Sequence, residues 1–478
     1  MVFSSIVFLF YFLPLFFLVF LISGFSKYVL LVFSLVFYAW GEPVFLPLML
    51  AMIAANYAFG KAIERGHDNG RARLWVTIGI VVNLLPLAIF KYGMFLVQML
   101  AGVAAPLAGK WLGVAPDQLV ANSIPLPLGI SFYTFHALSY LIDVYRKDVR
   151  AERSLRDLAV YMSMFPQLIA GPIIRYKTIA GELHKPIFTA ERTALGIRYF
   201  VIGLAQKVLI ANTVAATADP IFALPPDQLS GPLAWLGIVC YTLQIYFDFG
   251  GYSNMAIGLG LMIGFTFPIN FNYPYISASV TEFWRRWHIS LSSWFRDYLY
   301  IPLGGNRVSA WRTYLNLWIV FLLCGLWHGA SWNFVAWGAA HGGLLVLERA
   351  GLGQVLTRVS PVIRHGYVLL AVMATWVLFR ADTMEAAGYY YRALLGLGTG
   401  SVAVPPLSRF LGVDVVIAIV AGVIASGPLG QRWVSMIGST SRVGEVRIGQ
   451  LVGLAALFGL VTLSLAGGAY NPFIYFRF

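Results

Sequence analysis

The strongest constraint on this chain is a series of long segments that carry no charged side chain. The first, Val2–Ile22, has 21 residues, and as a helix rising about 1.5 Å per residue it would cross the roughly 30 Å hydrocarbon core of a bilayer. Further uncharged segments are Tyr28–Gly41, Val44–Gly60, Leu74–Phe90, Tyr92–Gly109, Ala121–Ile142, Leu158–Ile174, Leu233–Phe247, Phe249–Thr281, Tyr314–Leu347, Gly366–Phe379, Val415–Gly430 and Ile448–Phe476. This pattern predicts an all-α polytopic membrane protein with about ten to twelve transmembrane helices plus re-entrant and interfacial helices. No polar linker divides the chain, so we predict a single membrane-embedded domain over residues 1–478.

The composition supports the same class of protein. Hydrophobic residues make up 59% of the chain and charged residues 11%, whereas a soluble domain carries about 25% charged residues. A net charge of +13 would suggest nucleic-acid binding in a soluble chain. Here the basic residues cluster in short breaks between apolar segments, as they do in cytoplasmic loops. We therefore expect membrane lipid, and no nucleic acid, around this chain.

Individual residues argue against two simpler interpretations. Cys240 and Cys324 lie in apolar segments and supply neither a disulfide framework nor a zinc-binding spacing, so no metal site is predicted. The first basic residue, Lys27, follows the first apolar segment instead of preceding it. That order favours a retained first helix over a cleaved signal peptide.

Three segments contain features that interrupt a simple transmembrane helix. Tyr314–Leu347 has 34 residues, which is too long for one perpendicular crossing at about 1.5 Å per residue, so we expect two segments that separate near Gly325–Ser331. Leu158–Ile174 contains proline and glycine and is predicted to be re-entrant, which is tolerated only where backbone is buried in protein or lines a cavity. Gly260 and Gly264 form a G-x-x-x-G pattern that predicts a close contact between helices.

Two clusters of basic residues give the predicted orientation. One lies between residues 61 and 73, and the other between residues 146 and 156. If both are cytoplasmic, an even number of crossings separates them, so one of the three intervening apolar segments must be partial or re-entrant. Counting back through the three earlier segments places the N-terminus on the opposite side of the membrane.

Common catalytic signatures are missing, so polar residues inside apolar segments become the main functional signal. The sequence contains no G-x-S-x-G, P-loop or H-E-x-x-H motif. An ionisable residue within a membrane indicates function, because burying it is costly. His328 lies in GLWHGASWNF, at the small-residue break within the 34-residue segment. Histidine suits general-base chemistry near neutral pH, and the alternative is an imidazole held by a hydrogen bond between helices. Spacing alone leaves both open.

The other histidines fit structural roles, with one exception. His341 lies 13 residues after His328, roughly 220° around a continuous helix, so we predict that it packs or supports the site without lining the same cavity. His136 is expected to be a hydrogen-bonded packing residue. Three more histidines lie near charged residues in predicted loops, which favours a structural role for His67, His184 and His365. The exception is His288, within TEFWRRWHISLSSWFRDYLYIPLGGNR, the densest mixture of arginine and aromatic residues in the chain.

That arginine-rich segment has two compatible interpretations. The first is an interfacial amphipathic helix with snorkelling arginines and a belt of Trp and Tyr. The second is a cytoplasmic mouth that binds an anionic donor, such as a coenzyme A or phosphopantetheine thioester, through Arg285, Arg286 and Arg296.

Polar residues in QIYFDFGGYSNMAIG form a second candidate group. Asp248 could pair with an arginine or orient a histidine, and structural pairing is favoured over direct catalysis. Tyr252 and Ser253 offer further polar lining beside it. We assign a similar supporting role to Trp327 and Asn333, which flank His328 in the sequence.

Several sequence blocks together resemble the membrane-bound O-acyltransferase superfamily. FWRRWHISLSSWFRDYLYIPLGGNR followed by GLWHGASWNFVAWGAAHG resembles its bacterial branch, which contains alginate O-acetyltransferases and teichoic acid D-alanyl transferases. The same branch is resembled by PLGISFYTFHALSYLIDVYR, FPQLIAGPIIRY, YFDFGGYSNMAIGLGLMIGF and the closing NPFIYFRF. The likeness spans nearly the whole chain.

The resemblance implies a ring of helices around a central tunnel, with the catalytic segment at about residues 230–350. His328 takes the place of the essential tunnel histidine, and His288 that of the second active-site histidine. We expect His328 to act as general base, assisted by His288 as base partner or as donor to the developing oxyanion.

The same resemblance implies the substrates and partners. The donor would be acetyl-CoA or another acyl thioester entering from the cytoplasm, with no permanently bound cofactor. The acceptor would be an exopolysaccharide, with alginate favoured, and periplasmic acetyltransferase partner proteins would complete the transfer at the inner membrane.

Other functions stay open at this level. A D-alanyl transferase that takes its donor from a carrier protein would suit the same arginines, and a relative that acetylates cellulose or peptidoglycan would look much the same. A transporter would be expected to show inverted repeats and buried carboxylates, neither of which is apparent. The enzyme interpretation requires His328 to border a hydrated passage instead of being packed solidly among side chains.

Overall fold

The computed structural model describes residues 2–93, 95–97, 99, 126–398, 404–428, 448–468 and 470–474. Within these residues all regular secondary structure is helical. The principal helices are, in chain order, Phe8–Ile22, Lys27–Gly41, Pro43–Gly66, Ala72–Tyr92, Ile130–Tyr145, Leu155–Ser163, Phe165–Leu168, Tyr176–His184, Ala190–Phe222, Gly231–Met262, Val280–Arg286, Ile289–Phe295, Ala310–His328, Trp332–Leu347, Gly353–Arg358, Pro361–Arg380, Met384–Leu394, Val413–Ala425 and Ile448–Ala466.

Seven of the described helices are long and apolar enough to cross a membrane. They are Pro43–Gly66, Ala72–Tyr92, Ala190–Phe222, Gly231–Met262, Ala310–His328, Pro361–Arg380 and Gly449–Ala466. Shorter apolar helices are Phe8–Ile22, Lys27–Gly41 and Val413–Ala425. The predicted all-helical, multi-spanning class is therefore confirmed, while the number of crossings stays a prediction. Most of the predicted segment Tyr92–Gly109 lies outside the described residues.

The helix Gly231–Met262 runs through the middle of the packing and is the most buried of the long helices. Its most apolar stretch is 83% buried inside the protein. The uncharged segments on either side of Asp248 meet in one 32-residue helix that passes through this carboxylate. The Asp248 carboxylate lies 2.7 Å from the ammonium of Lys207, and both side chains are 1% exposed. A charge that is neutralised inside the protein does not have to end a membrane helix.

Glycines allow the helices Ala190–Phe222 and Gly231–Met262 to approach backbone to backbone. A methyl group added at Gly203 would lie 2.5 Å from the carbonyl oxygen of Gly251. One added at Gly258 would lie 2.4 Å from the carbonyl oxygen of Gly196. Neither position can hold a larger residue without separating the two helices.

The close helix contact predicted at Gly260 and Gly264 was wrong. Gly264 lies beyond the end of its helix with φ +92°, and the N–H of Phe265 donates to the carbonyl of Gly260 at 2.8 Å. This pair therefore terminates the helix, since a left-handed glycine with a returning hydrogen bond is a common helix ending.

The long apolar segment divides where we predicted. One helix ends at His328 and the next begins at Trp332. The two helices fold back on each other, and glycine is required at their contact: a methyl at Gly325 would lie 2.2 Å from the carbonyl oxygen of Phe334. The break places His328 at the end of a helix, beside the turn.

The segment predicted to be re-entrant is irregular and buried. It contains the short helices Leu155–Ser163 and Phe165–Leu168. Side chains from elsewhere in the protein satisfy its backbone: the N–H of Phe165 donates to Ser34 Oγ at 3.1 Å, and that of Ile173 to Ser290 Oγ at 2.9 Å. Irregular backbone is stable in such surroundings only when it is buried in protein in this way. Its depth in a bilayer stays a prediction.

The two basic clusters lie on the same side of the protein, as the orientation prediction requires. Glu64 pairs with Arg153 at 2.8 Å, and Tyr57 donates to the carbonyl of Arg153 at 2.7 Å. Lys27 joins them through Asp157 at 2.9 Å. The assignment of this side to the cytoplasm stays a prediction.

The buried ion pair of Lys207 and Asp248 supports a stability prediction. In Lys207→Met the carboxylate would stay buried without its cation, which costs about 3–5 kcal/mol. We expect a clearly lower midpoint of thermal unfolding for the purified variant in detergent. The control is Lys207→Met/Asp248→Leu, which removes both charges and should recover most of the loss. Equal midpoints for the single and double variants would contradict this account.

Candidate functional site

His328 lies between two cavities. The larger has a volume of about 310 Å³ and is lined partly by Lys91, Ser131, Trp327 and His328. The smaller has a volume of about 20 Å³ and is lined partly by His288 and His328. His328 as a whole residue is buried, with 7% of its surface exposed, and it borders empty space in both cavities. One residue therefore lines both spaces.

The backbone at His288 turns its ring into the protein. His288 separates the short helices Val280–Arg286 and Ile289–Phe295, has φ +44° and is 1% exposed. A left-handed conformation costs a non-glycine residue on the order of 1–3 kcal/mol, and such strain concentrates at functional sites. The N–H of Ile289 holds the turn by donating to the carbonyl of Asn270 at 2.9 Å. The interfacial helix predicted here is thus two short helices whose tryptophans and histidine are buried.

Asn270 fixes the tautomer of His288. Its Oδ1 accepts from the backbone N–H of Ser290 at 3.2 Å, which identifies that atom as the oxygen because a backbone amide only donates. His288 Nδ1 lies 3.1 Å from the same oxygen, so Nδ1 carries the proton. Asn270 Nδ2 in turn donates to Ser253 Oγ at 3.0 Å.

The other ring nitrogen of His288 is the chemically available one. Because Nδ1 is protonated, Nε2 presents a lone pair. Nε2 is buried and has no hydrogen-bond partner among the described residues. A buried lone pair of this kind is suited to accept a proton.

Aromatic rings enclose both imidazoles. The Trp327 ring centroid lies 4.8 Å from that of His328 and 6.2 Å from that of His288. Trp337 lies 5.1 Å from His328, and Phe249 lies 4.6 Å from His288. These rings limit the access of water to the imidazoles, which strengthens electrostatic interactions between the groups inside.

Lys91 is a site residue that we did not predict. It is partly exposed, lines the larger cavity, donates to the carbonyl of Trp327 and lies 3.5 Å from Ser131 Oγ. Within the described part of the chain it forms no ion pair. The available signal was its position as the single charge between the uncharged segments Leu74–Phe90 and Tyr92–Gly109.

Asp248 and Tyr252 contact the C-terminal segment. Their described contacts do not include His288 or His328. The partner of Asp248 is Lys207, where we had considered an arginine or a histidine. Asp248 Oδ2 also accepts the backbone N–H of Ile474 at 2.8 Å. The Tyr252 ring lies 4.7 Å from that of Phe473. Through these contacts Ile474 reaches the wall of the smaller cavity.

The remaining predicted supporting residues divide into two kinds. Ser253 supports His288 through Asn270, and Trp327 packs against His328. Asn333 instead donates to the carbonyl of Ala381 at 2.6 Å and lines neither cavity. Its contact ties the start of one helix to the end of another.

The three arginines of the predicted donor mouth line neither cavity. Arg285 is exposed. Arg286 pairs with Glu282 at 2.9 Å, and Arg296 with Asp297 at 2.7 Å. Burial raises the pKa of Asp297, but hydrogen bonds from Arg296 and Arg175 outweigh it, so the pKa lies below its ordinary value. Asp297 therefore stays ionised and offsets part of the local positive charge.

The packing roles predicted for two histidines are confirmed. His341 Nδ1 accepts from Trp284 Nε1 at 3.2 Å, and His136 Nε2 accepts from the N–H of Ile174 at 3.3 Å. His341 lies after the turn between two helices, so its separation from His328 does not follow from one continuous helix.

One group of possible metal ligands occurs in the described residues. Glu152, Asp157 and His184 bring a ligand atom each within 4.8 Å of one another. Their carboxylates already accept from Tyr176 at 2.6 Å and from Lys27 at 2.9 Å. We therefore assign these residues to the packing of the loops.

Comparison with known proteins identifies the family. The sequence profile of the membrane-bound O-acyltransferase family matches residues 129–379. The chain is 41% identical to a probable alginate O-acetylase, AlgI, of Azotobacter vinelandii, with 100% of both chains covered. It is 47% identical to the protein of that name from Pseudomonas aeruginosa, over 84% of this chain and 76% of the relative. A peptidoglycan O-acetyltransferase of Helicobacter pylori is 34% identical over 83% of this chain and 80% of its own length.

The matched region contains both histidines, Asn270 and Trp327, and extends to Phe379 on the wall of the smaller cavity. The helical architecture agrees with this match. The chain belongs to the membrane-bound O-acyltransferase family and is an O-acyltransferase.

Proposed function

We propose that this enzyme moves an acetyl group from a cytoplasmic thioester donor, acetyl-CoA or a related acyl thioester, for O-acetylation of an exopolysaccharide, with alginate as the favoured acceptor. The observation that carries the proposal is the position of His328 at the boundary of two cavities, with His288 in the smaller one. The match to an alginate O-acetylase over the full chain supports the choice of acceptor.

The proposed reaction uses His328 as the general base. It removes the proton of the acceptor hydroxyl as that oxygen attacks the thioester carbonyl. The C–O bond forms, the C–S bond breaks, and the proton passes to the departing thiolate. His288 has an unprotonated Nε2 in this arrangement, which favours the role of base partner over that of a neutral hydrogen-bond donor to the oxyanion.

The two cavities support opposite routes for donor and acceptor. Gly41 and Glu42 line the larger cavity, at the opposite end of their helix from Lys27, which pairs with Asp157 beside the second basic cluster. If the basic clusters are cytoplasmic, the larger cavity faces away from the cytoplasm and is the acceptor side. This arrangement suits a central tunnel in which an acceptor and a thioester meet at His328.

Contacts between loops support a donor entrance on the cytoplasmic side. Arg146, a member of the second basic cluster, donates to the carbonyl of Asp297 at 3.1 Å. Asp297 also binds Arg296 and Arg175. The predicted mouth thus lies on the face that carries the basic loops, where the anionic part of a coenzyme A thioester would be attracted. Periplasmic proteins and the polysaccharide would approach from the other face, at the inner membrane.

The alternatives differ in acceptor or in class. A peptidoglycan acceptor is supported by the Helicobacter pylori relative, which is less similar than the alginate O-acetylases. D-Alanyl transfer to teichoic acid or acetylation of cellulose would use the same histidines, and supplying purified protein with each donor and acceptor separates these cases.

The first prediction from this proposal concerns His328. We expect His328→Ala to abolish release of coenzyme A from acetyl-CoA, because among the described residues His328 alone lines both cavities. The matched control is His67→Ala, which changes a histidine in a turn that lines neither cavity. It should keep full activity. Both are measured by thiol release and by ester content of alginate, at equal amounts of folded protein on size-exclusion chromatography. Full activity in His328→Ala would end the assignment.

The second prediction concerns Asn270 as a positioning residue. Asn270→Ala removes the acceptor that holds the proton on His288 Nδ1, so the ring can turn or change tautomer. A wrongly held tautomer costs up to about 10⁴ in a serine protease, and we expect a loss of roughly 10²-fold or more here.

Asn270→Asp keeps an oxygen acceptor and should retain more activity than Asn270→Ala. It should also move the acidic limb of the pH–activity profile, because a carboxylate favours the charged imidazole. Identical activities and pH profiles for the two variants would exclude the positioning role.

The third prediction concerns Lys91 on the acceptor side. Removing its charge in Lys91→Met should raise the KM for a carboxylated acceptor about tenfold or more, since a hydrogen bond to a charged group contributes about 1.5–3 kcal/mol. The KM for acetyl-CoA should stay unchanged, and Lys91→Arg should recover part of the loss. An unchanged acceptor KM in Lys91→Met would remove Lys91 from the binding site.

A further inference from the structure

The volume of the smaller cavity limits the size of the group that it can hold. Its volume is about 20 Å³, and a cavity needs roughly 10–15 Å³ on the same scale to hold one water molecule. It therefore admits one group the size of a water or a methyl. Its described walls are Ile245, Phe249, Trp287, His288, His328, Trp337, Trp376, Phe379 and Ile474.

Three of these walls are aromatic rings that pack against one another. Trp337 and Trp376 are 0% and 1% exposed, and their ring centroids lie 6.2 Å apart. The Phe379 ring lies 5.2 Å from Trp337 and 5.4 Å from Trp376. Interlocked rings inside a close-packed interior resist displacement.

Ile474 is the only described wall of this cavity that lies after residue 379 in the sequence. It lies in the C-terminal segment, is 4% exposed and is held by its N–H to Asp248 at 2.8 Å. Lys207 binds the same carboxylate at 2.7 Å and also donates to the carbonyl of Pro472. A buried ion pair therefore fixes Ile474 against the cavity that contains both imidazoles.

The chemistry of the walls adds a second restriction. Apart from the two imidazoles, the described lining side chains are hydrocarbon or aromatic, and none is acidic. A D-alanyl group would bring an ammonium ion into this space without a carboxylate to pair with it, which is costly. The walls thus select against both a longer and a charged acyl group.

We propose that the smaller cavity is the acyl-binding subsite, that it accepts the methyl of an acetyl group, and that Ile474 sets the upper limit on acyl length. This inference rests on the proposed acetyl transfer and deepens it by naming the subsite that holds the acyl group and the residue that limits its length. The reaction is unchanged by acyl length: the C–S bond breaks, the C–O bond forms, and the hydroxyl proton ends on the thiol. Only the fit of the chain beyond the carbonyl carbon differs.

The test compares acyl-CoA donors of increasing length. Full-length enzyme in detergent, supplied with deacetylated alginate, is assayed for thiol release from acetyl-, propionyl- and butyryl-CoA. The wild type should lose about tenfold or more in kcat/KM for each added methylene, the scale on which pockets discriminate one methylene. Ile474→Ala should raise the ratio of butyryl to acetyl turnover by about tenfold or more.

Two matched variants make the result interpretable. Ile417→Ala, made at an isoleucine that is 62% exposed, should keep the wild-type ratio. Ile474→Val should shift the ratio in the same direction as Ile474→Ala but by less, and it serves as the test if Ile474→Ala does not fold. A folded Ile474 variant with the wild-type ratio, or an equal shift in Ile417→Ala, would overturn the inference.

Failure of the underlying function has a different signature. If wild-type enzyme turned over none of the donors in a manner that depends on His328, the proposed acetyl transfer itself would be refuted. If acetyl turnover depends on His328 but the acyl preference is unaffected at position 474, only the subsite assignment is lost.

Discussion

The architecture depends on one buried ion pair, that of Lys207 and Asp248. It allows a 32-residue helix to continue through a carboxylate, and it joins that helix to its most extensive neighbour, Ala190–Phe222. Both members also bind the backbone of the C-terminal segment. A buried pair of this kind is weak evidence for added stability, since its desolvation cost offsets much of the attraction. What it contributes is a specific position for the segment that it binds.

The two histidines differ in what their surroundings prepare them to do. His288 is held by a left-handed backbone and by Asn270, so its tautomer is set before any substrate arrives. His328 lies at a helix end, beside a turn of small residues, and borders two spaces of very different volume. His288 is thus held in place, while His328 lines both cavities. In this arrangement proton transfer and acyl transfer can occur at the same place.

Sequence reasoning located the elements whose signal is local. The break in the 34-residue segment followed from length and glycine content, and the structure places it between His328 and Trp332. The irregular buried segment near Leu158–Ile174 followed from its prolines. Continuity through Asp248 could not be predicted, because it requires knowing that Lys207, 41 residues earlier in the sequence, reaches the carboxylate. Likewise, nothing in the sequence marks Asn270 as the residue that binds His288. The arginines of the predicted donor mouth were prominent in the sequence, but they line neither cavity.

The placement of Ile474 has a consequence for how the protein is made. Every other described wall of the smaller cavity belongs to residues 245–379, which the ribosome produces and the membrane receives well before residues 471–474. The Asn471 side chain also donates to the backbone of Ser4, 467 positions away in the sequence. Ile474 is therefore synthesised after every other described wall of this cavity. Until it has been made and has packed in place, the cavity that His288 and His328 line lacks one of its walls.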